Sequence, residues 1–160
     1  MNLALQKTAL FVRDLLTYDE SLIKIGRQGD DITDFTTGYI AIDTLGQTQR
    51  MATGETFNGS AEIMNYAAQW TSPVTISFYG TGAWQRATDF SILLRSQKSL
   101  ELQEGLGVAI HKVSGLTDVK MLTGQQYGER YEITMNVQYS TGVNVETLRI
   151  DTEQTELITN

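Results

Sequence analysis

The sequence predicts an α+β fold, with a mostly antiparallel β-sheet and with a main helix and an N-terminal helix packed on one face. Three observations carry this expectation. Tyr131, Ile133, Met135, Val137 and Tyr139 alternate strictly with Glu132, Thr134, Asn136 and Gln138, the pattern of a strand with one buried and one wet face. Leu3, Leu5, Leu10, Val12, Leu15 and Leu16 return at loose helical spacing, which predicts an amphipathic helix over about residues 2–16. An apolar stretch, Val74 to Tyr79, ends in Gly80-Thr81-Gly82 and gives way to helical periodicity up to about Gln97. No parallel βαβ repeat follows, so strands and helices segregate.

The remaining elements follow in chain order. Tyr18 to Ile25 reads as a connector with a short strand, closed by Gly26 and Gly29, and Gly29 to Asp34 has no period and reads as a loop. Tyr39, Ile40, Ala41 and Ile42 form an apolar strand core that continues polar through Gln47, Gln49 and Met51. From Leu45 to Ser60 the chain is rich in Gly, Thr and Gln, which predicts a long exposed hairpin or loop; loops of that length in a compact domain usually have a task. Met64, Tyr66, Ala68 and Trp70 alternate with Ile63, Asn65, Ala67 and Gln69 as a strand does. Pro73 interrupts it, leaving Val74–Tyr79 as either a hairpin partner or a bent continuation.

Thr81 or Gly82 can cap the helix that follows, with Trp84, Ala87, Ser91 and Leu94 on one face and Phe90 and Leu93 beside it. Ser99 opens a short helical turn through Leu102, stopped by Gly105 and Gly107. Val108, Ile110 and Lys112 mark another strand, and Ser140-Thr141-Gly142 reads as a hairpin loop before a returning strand at Val143, Val145 and Leu148–Ile150. Residues 1–160 are expected to make one domain, with an excursion at about 45–60 and an acidic tail at 151–160.

Composition narrows the function. Hydrophobic residues are 41% and charged residues 19%, a globular balance. There is no cysteine, which removes disulfides, thiolate metal sites and cysteine nucleophiles, and His111 is the one histidine. The net charge is −7, from 12 Lys+Arg against 19 Asp+Glu, and the basic residues are scattered, which argues against tight nucleic-acid binding. Lys7, Arg13 and Asp14 break the apolar N-terminus well before the roughly 20 residues of a membrane span. A soluble protein made in a cytoplasm is expected.

No motif points to a reaction centre. Gly80-Thr81-Gly82 sits where a dinucleotide fingerprint would lie, but its third glycine would fall at Gln85, so a tight strand-to-helix turn is expected. Asp30, Asp31 and Asp34 have carboxylates a hard cation would take, yet lack the spacing and closing glutamate of a calcium loop, and Asp also favours solvated turns. His111 has no G-x-S-x-G elbow to serve, and Ser114 projects to the other strand face. Trp70, Trp84, Tyr79 and Tyr127 lack the interleaved Lys and Arg of a nucleic-acid platform, so packing or a subunit interface is their default role. No catalytic, cofactor-binding or metal residue is assigned. The bottom-up reading is an assembly part with no visible chemistry.

Val74-Thr75-Ile76-Ser77-Phe78-Tyr79-Gly80, followed by Ala83 and a helix, resembles the neck and tail-terminator proteins of tailed bacteriophages. Gly105-Leu106-Gly107-Val108, Val113-Ser114-Gly115-Leu116-Thr117-Asp118 and Glu129-Arg130-Tyr131-Glu132 are similar to the family's return into the sheet. The likeness covers about the last two-thirds of the chain. Gly26-Arg27-Gln28-Gly29-Asp30-Asp31 departs from the prolines expected in that region.

The resemblance implies a non-enzymatic virion protein, assembled in the host cytoplasm, that forms a ring, commonly a hexamer. The ring would cap the tail tube and join it to the head-side connector, with DNA passing through a lumen whose acidity keeps phosphates off the wall. Its partners would be copies of itself, the tail tube protein and the connector or adaptor protein, with no cofactor and no membrane. A tail-tube subunit or head-completion adaptor is the alternative within that class. A small hydrolase using His111 with Asp118 or Glu132 is the alternative outside it.

Overall fold

The computed structural model describes residues 2–26, 38–119, 121–123 and 126–147. Helix α1 (Leu3–Leu16) and a 3₁₀ turn (Glu20–Leu22) precede strands β1 (Ile23–Ile25), β2 (Tyr39–Thr44), β3 (Gln49–Asn58) and β4 (Ile63–Tyr79). Helices α2 (Ala83–Leu93) and α3 (Gln97–Leu106) follow. The chain then forms β5 (Val108–His111), β6 (Thr117–Asp118), β7 (Met121–Thr123), β8 (Gln126–Gly128) and β9 (Arg130–Glu146). The fold is α+β, as the alternation and helical spacing predict.

The long strands β4 and β9 pair antiparallel along their whole length, from Ile63↔Glu146 to Tyr79↔Arg130. β2 lies along the second half of β4 and β3 along its first half, both antiparallel to it. β5 and β6 pair with the first half of β9, and β1 is parallel to β2, so the sheet is mixed but mostly antiparallel. Pro73 bends nothing out of register. Its carbonyl accepts from Leu45 N at 3.2 Å, so its nitrogen points to the same side, into the jog where β2 has ended and β3 has not begun. No ladder hydrogen bond is lost there.

Cross-strand partners share a face. Val74, Ile76 and Phe78 of β4, Ile133, Met135 and Val137 of β9, and Ile40 and Ile42 of β2 all point to one side and are buried. Ala4, Phe11, Val12 and Leu15 of α1 and Ala83, Ala87 and Phe90 of α2 close over them. The helical face of α2 therefore runs through Ala83, Ala87 and Phe90. Trp84 and Ser91, expected on that face, are exposed, because the stripe that packs on the core is rotated by one position, to Ala83, Ala87 and Phe90.

The main helix does not run unbroken to Gln97. Ser96 Oγ donates to Leu93 O at 2.6 Å and accepts from Ser99 N at 3.2 Å, ending α2 and capping α3 with one hydroxyl. The expected short turn at Ser99–Leu102 is part of this ten-residue helix, which carries Gly105 inside it and ends at Gly107.

Helices α1 and α3 satisfy each other's ends. Lys7 Nζ donates to Leu106 O at 2.7 Å at the end of α3, and Lys98 Nζ donates to Leu15 O at 3.1 Å at the end of α1. A cation at a helix C-terminus meets both the unpaired carbonyls and the negative end of the dipole. Lys7→Met keeps the stem and removes the charge, and is expected to cost about 1 kcal/mol. Urea unfolding should show the lower midpoint with an unchanged slope.

Candidate functional site

Beyond the helices, the sheet continues as a three-stranded arm made of β3, the first half of β4 and the last half of β9. The excursion expected at 45–60 is thus mostly strand. Every residue of β3 is exposed. Ser140-Thr141-Gly142 is no hairpin loop; it lies inside β9, opposite Gln69, Ala68 and Ala67. Paired backbone on the β4 side holds these small polar residues in strand geometry.

At the tip, Asn58 Oδ1 accepts from Ser60 N at 3.1 Å and Ala61 N at 3.3 Å, an Asx-type turn that reverses the chain into β4. Thr147 N donates to Glu62 O at 2.8 Å and ties the end of β9 to the same turn.

The two faces of the arm differ. On the helix side, Phe57 pairs with Met64 and Val145 through the register, and Glu55 with Tyr66 and Val143. Phe57, Tyr66, Val143 and Val145 are exposed, although they extend the same face that is buried under the helices. Trp70 marks the junction: half-buried against the core, its indole Nε1 donates to Thr141 Oγ1 at 2.8 Å. The opposite face mixes the amides and hydroxyls of Thr56, Asn58, Asn65, Gln69, Ser140 and Asn144 with small residues, Ile63 and Glu146. Thr56, Asn58, Ile63, Asn65 and Asn144 line a shallow groove there, and Asn65 Nδ2 donates to Asn144 Oδ1 at 2.6 Å. The sequence reading missed this apolar stripe, although Val143 and Val145 keep the odd phase of Val137 and Tyr139.

At the other end of β4, Gly80-Thr81-Gly82 makes a strand-to-helix turn, with Gly80 and Gly82 at φ 77 and 78, where a side chain would be strained. Arg86 latches it, donating to Tyr79 O at 2.6 Å and Thr81 O at 2.9 Å while its guanidinium lies 5.9 Å from the Tyr18 ring centre. Tyr39 and Tyr79 stack at 4.5 Å, with Arg130 over Tyr79 at 5.1 Å. Arg130 also pairs with Glu132, which accepts from Ser77 Oγ at 3.0 Å.

Burial pushes the Tyr39 phenol up from 10.0 to about 12, with Tyr79 adding to the rise and Arg130 opposing it. An unfolded phenol ionises near pH 10 while the folded one keeps its proton, so the folded state holds more protons and stability falls as pH rises through that window. Among the described residues, Tyr39 Oη has no hydrogen-bond partner. Tyr39→Phe should therefore be tolerated at pH 7 and should flatten the loss of stability between pH 10 and 12, read from urea midpoints.

The other residues weighed from sequence are dispersed. His111 pairs with Asn136 and Asp118 with Tyr131, an even and an odd position of β9, so their side chains leave opposite faces of the sheet. Glu132 shares the face of His111 but lies four residues along β9, roughly 13 Å. Ser114 stitches the loop after β5 to β9: its backbone N–H donates to Thr134 O at 2.8 Å and its Oγ accepts from Thr134 N at 2.9 Å. Trp84 packs edge-on against Tyr131 at 5.3 Å, and Tyr79 lies on the opposite face from Trp70, so these aromatics form no common platform. Asp30, Asp31, Asp34, the side chain of Tyr127 and the acidic tail at 151–160 lie outside the described residues. Among the described residues, no three His, Asp or Glu side chains gather as metal ligands, and no helix is long and apolar enough to cross a membrane.

A helix-backed sheet that projects an open, apolar-faced arm defines a protein whose distinguishing surface is one for contact. The sequence matches the family described as Phage neck terminator protein over residues 7–159, and the chain belongs to that family. It is therefore a structural component of the phage neck, with a role in completing the tail. No curated protein matches the chain.

Proposed function

We propose that the chain is a non-enzymatic ring subunit, the ring being a hexamer, that caps the tail tube at the neck and joins it to the head-side connector while DNA passes through. The single observation that carries this is the arm, whose exposed apolar stripe continues the core face in a member of the neck terminator family. Isolated exposed apolar residues are ordinary, but a contiguous stripe on a projecting sheet is the kind of surface that proteins cover with a partner.

The arm also suits proximity to DNA. Residues 45–71 and 140–146 carry Arg50, Glu55, Glu62 and Glu146 as their charged residues, and the opposite face of the arm presents hydroxyls, amides and small residues with Ile63 and Glu146. Phosphates would find no cation cluster to adhere to. With one Arg against three Glu, a lumen lined by these arms would be polar and mildly acidic, as expected for a wall that keeps phosphates off. On this reading assembly takes place in the host cytoplasm and the finished protein resides in the virion neck.

Native mass and negative-stain images of the purified protein, alone and mixed with tail tube protein, test the proposal. Single rings that shorten or end tubes are expected. Long stacks of the chain itself would make it a tube subunit, and a monomer that leaves tube length unchanged would refute the capping role.

A further inference from the structure

The arm has two outer edges, and their arrangement says how one copy can meet the next. β3 pairs with β4 on one side, and among the described residues nothing pairs with its other side. The last half of β9 pairs with β4, and among the described residues its other side is also open past Tyr139, where β5 stops. These open stretches are level with each other. Ala52 and Ser140 both sit opposite Gln69, and Asn58 and Glu146 both sit opposite Ile63.

Long open edges are normally blunted with lysine, proline or inward charges, because they template pairing with another chain. Residues 52–58 and 140–146 contain no Lys and no Pro, and their charged residues are Glu55 and Glu146. The edges are open and unguarded.

Direction decides the symmetry. β3 and β9 are each antiparallel to β4, so they run parallel to each other. Copies related by rotation about an axis along the arm would place the β9 edge of one beside the β3 edge of the next, running the same way. Pairing of two identical edges would instead need a twofold axis and would leave the second edge of every copy open.

We infer that neighbouring copies join by parallel β-pairing of residues 140–146 of one with residues 52–58 of the next, fusing the arms into one continuous sheet around the ring. This rests on the ring reading above and specifies its interface. Strand faces are preserved across such a junction, so Phe57 of one copy lines up with Val145 of its neighbour and Glu55 with Val143, and the stripe becomes a belt that is apolar apart from Glu55 in each copy. Closure leaves no free edge anywhere on the belt. The second copy is the occupant the geometry favours, because each chain carries both halves of the junction at the same height.

The chain has no native cysteine, so pairs of introduced cysteines report the junction directly. Thr56→Cys with Asn144→Cys, and Ala52→Cys with Ser140→Cys, place thiols on one face at exposed positions. Gly142→Cys and Glu146→Cys in place of Asn144→Cys, and Gly142→Cys in place of Ser140→Cys, cover a register offset of two. Mild oxidation is expected to give a ladder of linked chains ending at the ring size in both parallel pairs at a common offset. Single-cysteine variants and a variant of opposite face, Thr56→Cys with Val143→Cys, should stay unlinked. A ring seen by imaging that links only through single cysteines, or through none of the pairs, would overturn the edge pairing and leave the ring standing. A protein that stays monomeric with tail tubes present would remove the ring, and the pairing with it.

Discussion

Phe90→Ala is expected to lower stability more than any other single truncation of the helix layer, by about 3–5 kcal/mol. Phe90 is fully buried in α2 and holds three elements together. Its ring meets Phe11 of α1 edge-on at 6.4 Å and tilts against Phe78 of β4 at 5.8 Å. Truncation removes the transfer energy of the ring and leaves a hole that β4 cannot fill, because that strand is held along its whole length by β9. A total stability of about 5–15 kcal/mol makes such a loss large, and a domain of this size should melt roughly 6–20 °C lower. Phe90→Leu, which keeps much of the volume, is expected to lose less than half as much. Urea unfolding followed by tryptophan fluorescence measures both. A loss under 1 kcal/mol for the alanine variant would mean that the helices do not pack on this face as described.

Much of this layer was legible in the sequence, for a physical reason. Burial on one side imposes a period of two on Tyr131–Tyr139 and a helical period on Leu3–Leu16, and both elements appear where those periods place them. Legibility fails where the constraint is not burial. Ser140-Thr141-Gly142 looks like a turn because its residues are small and polar, but pairing with β4 is a non-local interaction that composition does not record. The break at Leu94–Ser96 is set by one serine hydroxyl that serves two helix ends, while the apolar period runs straight across it. Pro73 looks disruptive until the neighbouring strands are known to part beside it.

The candidate site was legible only as an exposed excursion at 45–60. Its apolar stripe is spread over β3, β4 and β9, so Phe57, Tyr66, Val143 and Val145 come together only through the register. The Leu45–Ser60 stretch, read alone, shows Gly, Thr and Gln and hides the half of the surface that β4 and β9 supply.

Excising the β3 and β4 strands of the arm is expected to leave a folded domain that no longer assembles. The cut must respect the register. Replacing 45–60 alone with a short turn cannot work, because Thr44 lies beside Val74 while the chain resumes beyond Ile63, about 36 Å away along β4. Thr44 and Val74 are direct partners, so Leu45–Pro73 can be replaced by Asn-Gly, which closes a two-residue hairpin between them. Every fully buried apolar side chain of the core lies outside the excised stretch. The main loss is the half-buried Trp70, on the order of 1–3 kcal/mol. Circular dichroism and urea unfolding should therefore report a cooperative domain of reduced stability, while native mass should report monomers and tail tubes should grow past their normal length. The contrast separates two jobs carried by one pair of strands: the halves of β4 and β9 under the helices make the core, and the halves beyond them make the contacts. A variant without these two strands that still closes into rings and ends tubes would show that neither the β3 edge nor the stripe residues Phe57 and Tyr66 are needed for assembly.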